Sequence, residues 1–255
     1  MKRNWLIIPE FDKREAFREL AEEYNAAFEY NDFFMPSVYG DEEEVKRRIK
    51  AYCSLDRDCS KDTLHGAFLD MASFSDDPFM AEYSKKRMRQ SMEIAKELGA
   101  KGVVFHSGLV RGVTSETYIS NWLKRQGEFF RGLCREFPGL EIYLENTQEE
   151  TPEFFLRMKE EMQECARFGF CLDYAHANIS RTKPQEWVKA LGENIIHMHI
   201  NDNDGNCDLH QVPGKGIIDW KQFGEETKEI EKVSVLIEVT GLECQKKALE
   251  YLTKL

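Results

Sequence analysis

Short apolar runs alternate with charged, amphipathic stretches along most of this chain. Eight of the runs have the length and composition of β-strands, and a helical pattern follows each of them. They cover residues 5–8, 27–30, 63–68, 102–106, 141–145, 169–173, 195–200 and 235–239. Because strands that are apolar on both faces are typical of a parallel sheet covered by helices, the pattern predicts consecutive βα units.

Eight βα units in 255 residues predict a protein of the α/β class, a (β/α)8 TIM barrel that forms a single domain over residues 1–255. A doubly wound open sheet is the alternative. That fold typically carries a glycine-rich phosphate loop after its first strand, and here the position reads Pro9-Glu10-Phe11-Asp12. The barrel is therefore the favoured fold.

Several helix boundaries are marked in the sequence. We expect a long helix from about Asp77 to Leu98, which Gly99 ends. Another helix should open with Thr151 as its cap and Pro152 at its first helical position. These signals support the same alternation of strands and helices.

The composition limits the partners and the compartment. A formal net charge of −11 disfavours nucleic acid without excluding it, since duplex binding depends largely on phosphate neutralisation and bound cations would reverse the sign in a cleft. Seven cysteines without a CxxC pair predict reduced thiols in a cytoplasmic protein. No apolar run is long enough to span a bilayer, and the N-terminal residues do not read as a signal peptide. The oligomeric state is left open, a homo-oligomer included.

Histidines and acidic residues end several of the predicted strands or follow them closely. The carboxyl ends of barrel strands meet on one face, so these side chains converge although they are far apart in sequence. Imidazole and carboxylate together favour a divalent ion such as Zn, Mn or Co, and the lack of cysteine argues against a purely structural zinc site. The nine candidates are His65, His106, Glu145, Asp173, His176, His199, Asp208, His210 and Glu238.

Not all nine carry the same weight. Glu145, Asp173 and Glu238 interrupt otherwise apolar strands, and a charge buried in a barrel is costly unless it is paired or metal-bound. His199 lies late in strand seven, and His197 faces the same side one layer deeper, where we expect a packing or supporting role. Nine residues exceed what one ion can bind, so either several ions bind or some of the residues contact substrate.

The order and spacing of these residues resemble those of the xylose isomerase-like TIM barrels. This superfamily includes sugar phosphate isomerases and epimerases and apurinic/apyrimidinic endonuclease IV. The resemblance covers nearly the whole chain and is much more specific to the superfamily than to a substrate. Segments 144–146, 172–176, 199–202, 208–210, 213–220 and 237–238 carry it.

The isomerase branch implies one divalent ion, Mn, Zn, Mg or Co, bound by Glu145, Asp173, His199 and Glu238. Glu145 and Glu238 would flank the sugar carbons and exchange a proton as base and acid, which suits abstraction of a proton next to a carbonyl. On this basis we predict a metal-dependent isomerase or epimerase of a small sugar, sugar phosphate or polyol derivative.

In the same branch His176 would contact substrate oxygens, and we expect His65 and Lys215 beside it. An arginine often follows the strand-seven histidine there, but no arginine occurs between His199 and Asp219 in this chain. Lys215 is the candidate substitute.

The endonuclease branch is the alternative, a phosphodiesterase with three ions. All nine positions are filled in this chain, which favours it, but the loops are mostly short and Ser107 follows His106 where the endonucleases usually have proline. A barrel that binds sugar without catalysis is a third hypothesis. In the three-ion arrangement one ion would bind His65, His106 and Glu145, a second Glu145, Asp173, His199 and Glu238, and a third His176, Asp208 and His210.

Overall fold

The structure, a computed structural model, describes residues 3–110, 112, 115–230 and 233–255. Eight parallel strands close into a barrel in chain order, because β1 pairs with both β2 and β8. The predicted (β/α)8 barrel is therefore confirmed. The strands are β1 Asn4–Ile7, β2 Ala27–Tyr30, β3 Thr63–His65, β4 Gly102–His106, β5 Glu141–Glu145, β6 Phe168–Asp173, β7 Ile195–Ile200 and β8 Ser234–Ile237.

Ten α-helices are assigned within the described residues. They are α1 Arg14–Tyr24, α2 Pro36–Tyr39, α3 Glu42–Cys53, α4 Pro78–Leu98, α5 Glu116–Glu136, α6 Glu153–Glu161, α7 Tyr174–Ile179, α8 Pro184–Leu191, α9 Trp220–Glu226 and α10 Leu242–Thr253. Short 3-10 turns cover Phe11–Lys13, Asp32–Phe34, Gly192–Asn194 and Lys228–Ile230.

The helix ends mostly follow the local sequence signals. The Asp77 side chain caps α4 by accepting from two backbone N–H groups, and Gly99 ends the helix in the left-handed conformation. The start of α6 lies one residue later than expected, with Pro152 and not Thr151 at the cap position. The third strand is also shorter than its apolar run, because the chain leaves the sheet after His65.

Alternation along the strands decides which side chains face the barrel interior. Phe105 on β4 belongs to the large core shared with the helices, whereas Val104 packs in a separate small cluster with Tyr143 and Cys171. Side chains two residues apart share a face of the sheet. Two positions further along β4, β5 and β6 lie His106, Glu145 and Asp173. They therefore face the same interior, at the carboxyl end of the barrel.

None of the helices within the described residues combines the length and the apolar character that a bilayer span requires.

Candidate metal centre at the carboxyl end of the barrel

Glu145, the last residue of β5, lies at the middle of the candidate site and is 1% exposed. Its Oε2 atom lies 3.4 Å from Nε2 of His106 and 3.6 Å from Nε2 of His65. Its Oε1 atom lies 3.3 Å from Nδ1 of His199. The two oxygens of one carboxylate thus face two different sets of histidine nitrogens.

These separations fit shared metal ligands better than hydrogen bonds. Nitrogen–oxygen hydrogen bonds are mostly about 2.7–3.2 Å long. Two ligand atoms bound at about 2.0–2.1 Å to one tetrahedral ion are roughly 3.4 Å apart. The distances from Glu145 to His106 and to His199 lie close to that value.

A four-residue set surrounds the other side of Glu145. One ligand atom from each of Glu145, Asp173, His199 and Glu238 lies within 4.8 Å of the others. Three of these residues also have a buried polar atom without a hydrogen-bond partner: Oδ2 of Asp173, Nδ1 of His199 and Oε2 of Glu238. Unpartnered buried polar atoms are costly, and a divalent cation would satisfy them together. The donor set therefore fits a metal ion.

Asp173, the last residue of β6, also caps the following helix. Its Oδ1 atom accepts from the backbone N–H of His176 at 2.6 Å and so caps the short helix α7. The Asn146 side chain accepts from the Asp173 N–H at 2.8 Å and donates to its carbonyl at 3.0 Å. Asn146 thereby fixes the ends of β5 and β6 against each other and positions His176.

Three more candidate ligands, His176, Asp208 and His210, lie together next to the four-residue set. The Nε2 atoms of His176 and His210 lie 3.2 and 2.8 Å from Oδ2 of Asp208. Their Nδ1 atoms face the carbonyls of Asn146 and Glu238 at 2.8 and 3.0 Å. A carbonyl accepts only from a protonated nitrogen, so both rings carry a hydrogen on Nδ1, and Nε2 is the atom that could bind an ion once its own proton has left. His210 also has a φ of 46°, uncommon for a residue other than glycine and often found at functional sites.

Asp202 supports the loop that brings Asp208 and His210 to the site. Its buried carboxylate accepts from the backbone of Gly214 at 2.8 Å, from Ile218 at 3.1 Å and from the Trp220 indole at 3.0 Å. Its backbone forms a two-bond bridge with Gln211. The loop of residues 203–210, which contains Asp208 and His210, is thus closed by backbone hydrogen bonds between the residues that flank it.

The buried carboxylates differ in their protonation when no cation is present. Burial raises the pKa of Glu145, but the charges of His199 and His106 outweigh it and hold the pKa well below its ordinary value. Burial, with the neighbouring charges of Asp173 and Glu145, raises the pKa of Glu238 to about 8. Burial also raises the pKa of Asp173. A cation at this position would compete with the protons that these acids hold.

The histidines are affected in opposite directions. Burial lowers the pKa of His106. The hydrogen bond to Asp208 raises the pKa of His210 to about 9. Burial lowers the pKa of His176, but Asp173 and Asp208 outweigh it and raise the pKa well above its ordinary value. His176 and His210 would have to lose these protons before a metal ion could bind between them and Asp208.

His197 lies one layer below His199, and sequence reasoning missed the acid beside it. Both ring nitrogens of His197 are hydrogen-bonded, Nδ1 to Ser234 at 2.6 Å and Nε2 to Glu29 at 3.0 Å. Cys171 and the two histidines offer ligand atoms within 4.8 Å of one another, but His197 could bind an ion there only by giving up one of these two hydrogen bonds. We therefore assign His197 to the supporting layer.

A cavity of about 330 Å³ opens beside the candidate ligands, with His106, His176 and Asp208 in its wall. Phe68 also lines it and stacks on the His106 ring at 4.2 Å. A larger cavity of about 520 Å³ is lined by the amino-terminal ends of strands and so lies at the opposite end of the barrel, away from this chemistry. Substrate access is therefore expected on the His106 side.

The other two predicted substrate-binding residues, His65 and Lys215, do not line this cavity. His65 lies on the Glu145 side of the cluster and is 2% exposed. Lys215 is exposed on the loop after β7, and its role stays a prediction.

With the fold and the site described, the family can be stated. Residues 12–255 match the model of the xylose isomerase-like TIM barrel family, so the chain belongs to that family. An uncharacterized protein of Methanocaldococcus jannaschii is 30% identical to it over 178 residues, covering 66% of this chain and 60% of that protein.

Two further proteins similar to this chain have names of different kinds. A probable AP endonuclease of African swine fever virus is 28% identical over 219 residues, covering 74% of this chain and 63% of that one. The chain thus matches about three fifths of the length of both curated relatives. A solved D-tagatose 3-epimerase-like protein superimposes with a TM-score of 0.79 at 23% identity, covering 98% of this chain and 96% of that one. At this identity the superposition shows the shared fold.

Proposed function

We propose that this protein is a metal-dependent phosphoesterase whose centre binds up to three divalent ions. The observation that carries the proposal is the division of the Glu145 carboxylate. One oxygen faces His65 and His106, and the other faces His199, at distances suited to shared ligands. A carboxylate placed in this way could serve as a ligand to two divalent ions, and a centre of two or more ions would suit transfer of a phosphoryl group.

The remaining ligands fit the same chemistry. Asp173, His199 and Glu238 would complete one ion site with Glu145, and His176, Asp208 and His210 would form another. Bound divalent ions supply positive charge that stabilises the phosphoryl oxygens as they gain charge in the transition state. The chain's own contribution is to hold these ligands rigidly, as Asn146 and Asp202 do through their hydrogen bonds.

The substrate would enter through the cavity beside His106, His176 and Asp208. Its volume of about 330 Å³ lies near the lower end of ordinary small-molecule pockets. The net charge of −11 also favours a small phosphoester over a nucleic acid duplex. The similarity to a probable AP endonuclease supports the bond type and keeps an abasic duplex among the substrates to be tested.

The test is hydrolysis of 4-nitrophenyl phosphate, bis(4-nitrophenyl) phosphate and a duplex with one abasic site. We expect turnover of at least one phosphoester, loss of that turnover with chelator, and its recovery with zinc or manganese. The control is Asp204→Asn, which changes an exposed acid on the same loop as Asp208. No turnover of any of these substrates by the metal-loaded protein would contradict the proposal.

The second candidate is the sugar isomerase or epimerase predicted from the sequence. It is favoured by the complete four-residue set Glu145, Asp173, His199 and Glu238, which could bind one ion without the other five candidates. In that reaction Glu145 and Glu238 would move a proton on and off a sugar carbon. The divided contacts of Glu145 rank this candidate second, because they engage both oxygens of the proposed base.

An exchange experiment distinguishes the two candidates. An isomerase or epimerase would incorporate deuterium from D2O into the carbon next to a ketose carbonyl, seen by NMR across a panel of sugars and sugar phosphates. A phosphoesterase would incorporate none, even where it releases phosphate.

A further inference from the structure

Glu29 is a fully buried acid on β2 that the strand pattern did not single out. Its side chain points into the barrel directly below the candidate metal centre, and it is 0% exposed. Oε2 accepts from the Thr63 hydroxyl at 2.6 Å and from Nε2 of His197 at 3.0 Å. Oε1 lies 3.1 Å from Nε2 of His199.

We propose that Glu29 is a positioning residue for the metal centre, which holds the hydrogen of His199 on Nε2 and leaves Nδ1 free to bind an ion. A neutral imidazole carries one hydrogen, so the acceptor beside one nitrogen decides which nitrogen becomes the ligand. Nδ1 of His199 is the atom that faces Glu145 and Glu238, at 3.3 and 3.6 Å.

Oε1 of Glu29 and Nε2 of His199 face each other, and each is free to form a hydrogen bond with the other. Neither Oε1 of Glu29 nor Nε2 of His199 has an aligned hydrogen-bond partner within the described residues. They lie within hydrogen-bond distance without yet having the alignment of a full bond. An ion pulling on Nδ1 would favour the tautomer with the hydrogen on Nε2, the form that Glu29 accepts from.

The position of Glu29 is fixed from the other side. His197, which donates to Oε2, is itself held by Ser234 at 2.6 Å and stacks on the Tyr143 ring at 5.0 Å. The Thr63 hydroxyl gives the same oxygen a second bond. One oxygen is therefore anchored, and the other is directed at His199.

The negative charge of Glu29 also supports a positioning role for this residue. A buried carboxylate is costly unless it is paired, and the groups closest to the two Glu29 oxygens include the rings of His197 and His199. Its negative charge makes His199 a stronger donor to a cation. Carboxylates in this position typically change metal affinity about 10- to 100-fold. The proposal holds for either candidate function, since it concerns the binding of the ion and not the reaction.

The test compares Glu29→Gln with Glu149→Gln in the full chain. Glu149 is a matched control, because it is also a buried acid, 6% exposed, but bonds to Ser107 and to the backbone at residues 147 and 148. Each protein is loaded with zinc or cobalt, dialysed against a weak chelator and analysed for ions per chain. We expect Glu29→Gln to lose one ion that the wild type and Glu149→Gln retain, with affinity about 10-fold or more lower.

Histidine-labelled protein gives a second readout that a purely structural role would not affect. In long-range ¹H–¹⁵N spectra of the metal-loaded wild type, His199 should carry its hydrogen on Nε2, and the Nε2–H signal should shift in Glu29→Gln. Wild-type metal affinity in Glu29→Gln would overturn the proposal. Equal loss of ions in both glutamine variants would overturn it too.

Should Glu29→Gln not fold, Thr63→Val carries the test, because it removes a donor that anchors Glu29 and nearly keeps the side-chain volume. We expect a several-fold loss of affinity at the same site. Unchanged affinity in Thr63→Val would then count against the proposal.

Discussion

His176 and His210 point Nε2 at the same atom, Oδ2 of Asp208, from distances of 3.2 and 2.8 Å. His176 lies in the short helix α7 after β6, and His210 lies in the loop after β7. Two imidazoles that share a carboxylate, each with its other nitrogen on a backbone carbonyl, form a ready set of ligands for a divalent ion.

The first prediction follows from this arrangement. Asp208→Asn should cost the protein one ion per chain, since it removes the charged ligand that joins the two histidines. Metal analysis after dialysis measures this, with Asp204→Asn on the same loop as the control. Equal metal content in the Asp208 variant and the wild type would show that no ion binds there.

The second prediction concerns the loop support. Asp202→Ala should lower the free energy of unfolding by about 3 kcal/mol, because it leaves the buried donors of Ile218 and Trp220 and the part-buried donor of Gly214 without their acceptor. In a chain of this size that is a drop in Tm of roughly 6–12 °C. Calorimetry checks the value, and a change below about 1 °C would contradict the role given to Asp202.

The third prediction is the pH dependence of the metal-free protein. Glu238 has a folded pKa of about 8, raised by burial and by Asp173 and Glu145, against an ordinary value near 4.5. Between these values the folded state holds a proton that the unfolded state has lost, so stability falls as the pH rises from about 4.5 to 8. Melting curves of chelator-treated protein should show this fall, and Glu238→Gln should reduce it. A Tm that rises over the same range in both proteins would contradict it.

The fourth prediction concerns the bridging carboxylate. Glu145→Gln should lower phosphoester turnover on the order of 100- to 1,000-fold, because both inner ion sites lose a shared charged ligand. Steady-state rates with bis(4-nitrophenyl) phosphate measure the effect, and Glu149→Gln is the control. Turnover within about threefold of the wild type would remove Glu145 from the centre.

Much of the fold could be predicted because most of the strands are apolar runs that end in a turn or helix signal. The ligand positions were visible for the same reason, since Glu145 and Asp173 interrupt apolar strands and stand out in the sequence. The structure brings all nine candidates to one end of the barrel, as the convergence of strand ends requires.

Glu29 could not be predicted in the same way. It occupies an alternating position on a four-residue strand, where a glutamate most often faces solvent. Its main partners His197 and His199 come from β7, about 170 residues later in the chain. Only the closure of the barrel brings β2 and β7 together across the interior, and no local pattern encodes that contact.

The most direct measurement is the number of divalent ions per chain in protein purified without added metal. The divided contacts of Glu145 and the pair of histidines on Asp208 predict three ions, lost in steps as Asp208→Asn and Glu145→Gln are introduced. A single ion per chain in the wild type, unchanged by Asp208→Asn, would contradict the multi-ion centre and favour the isomerase.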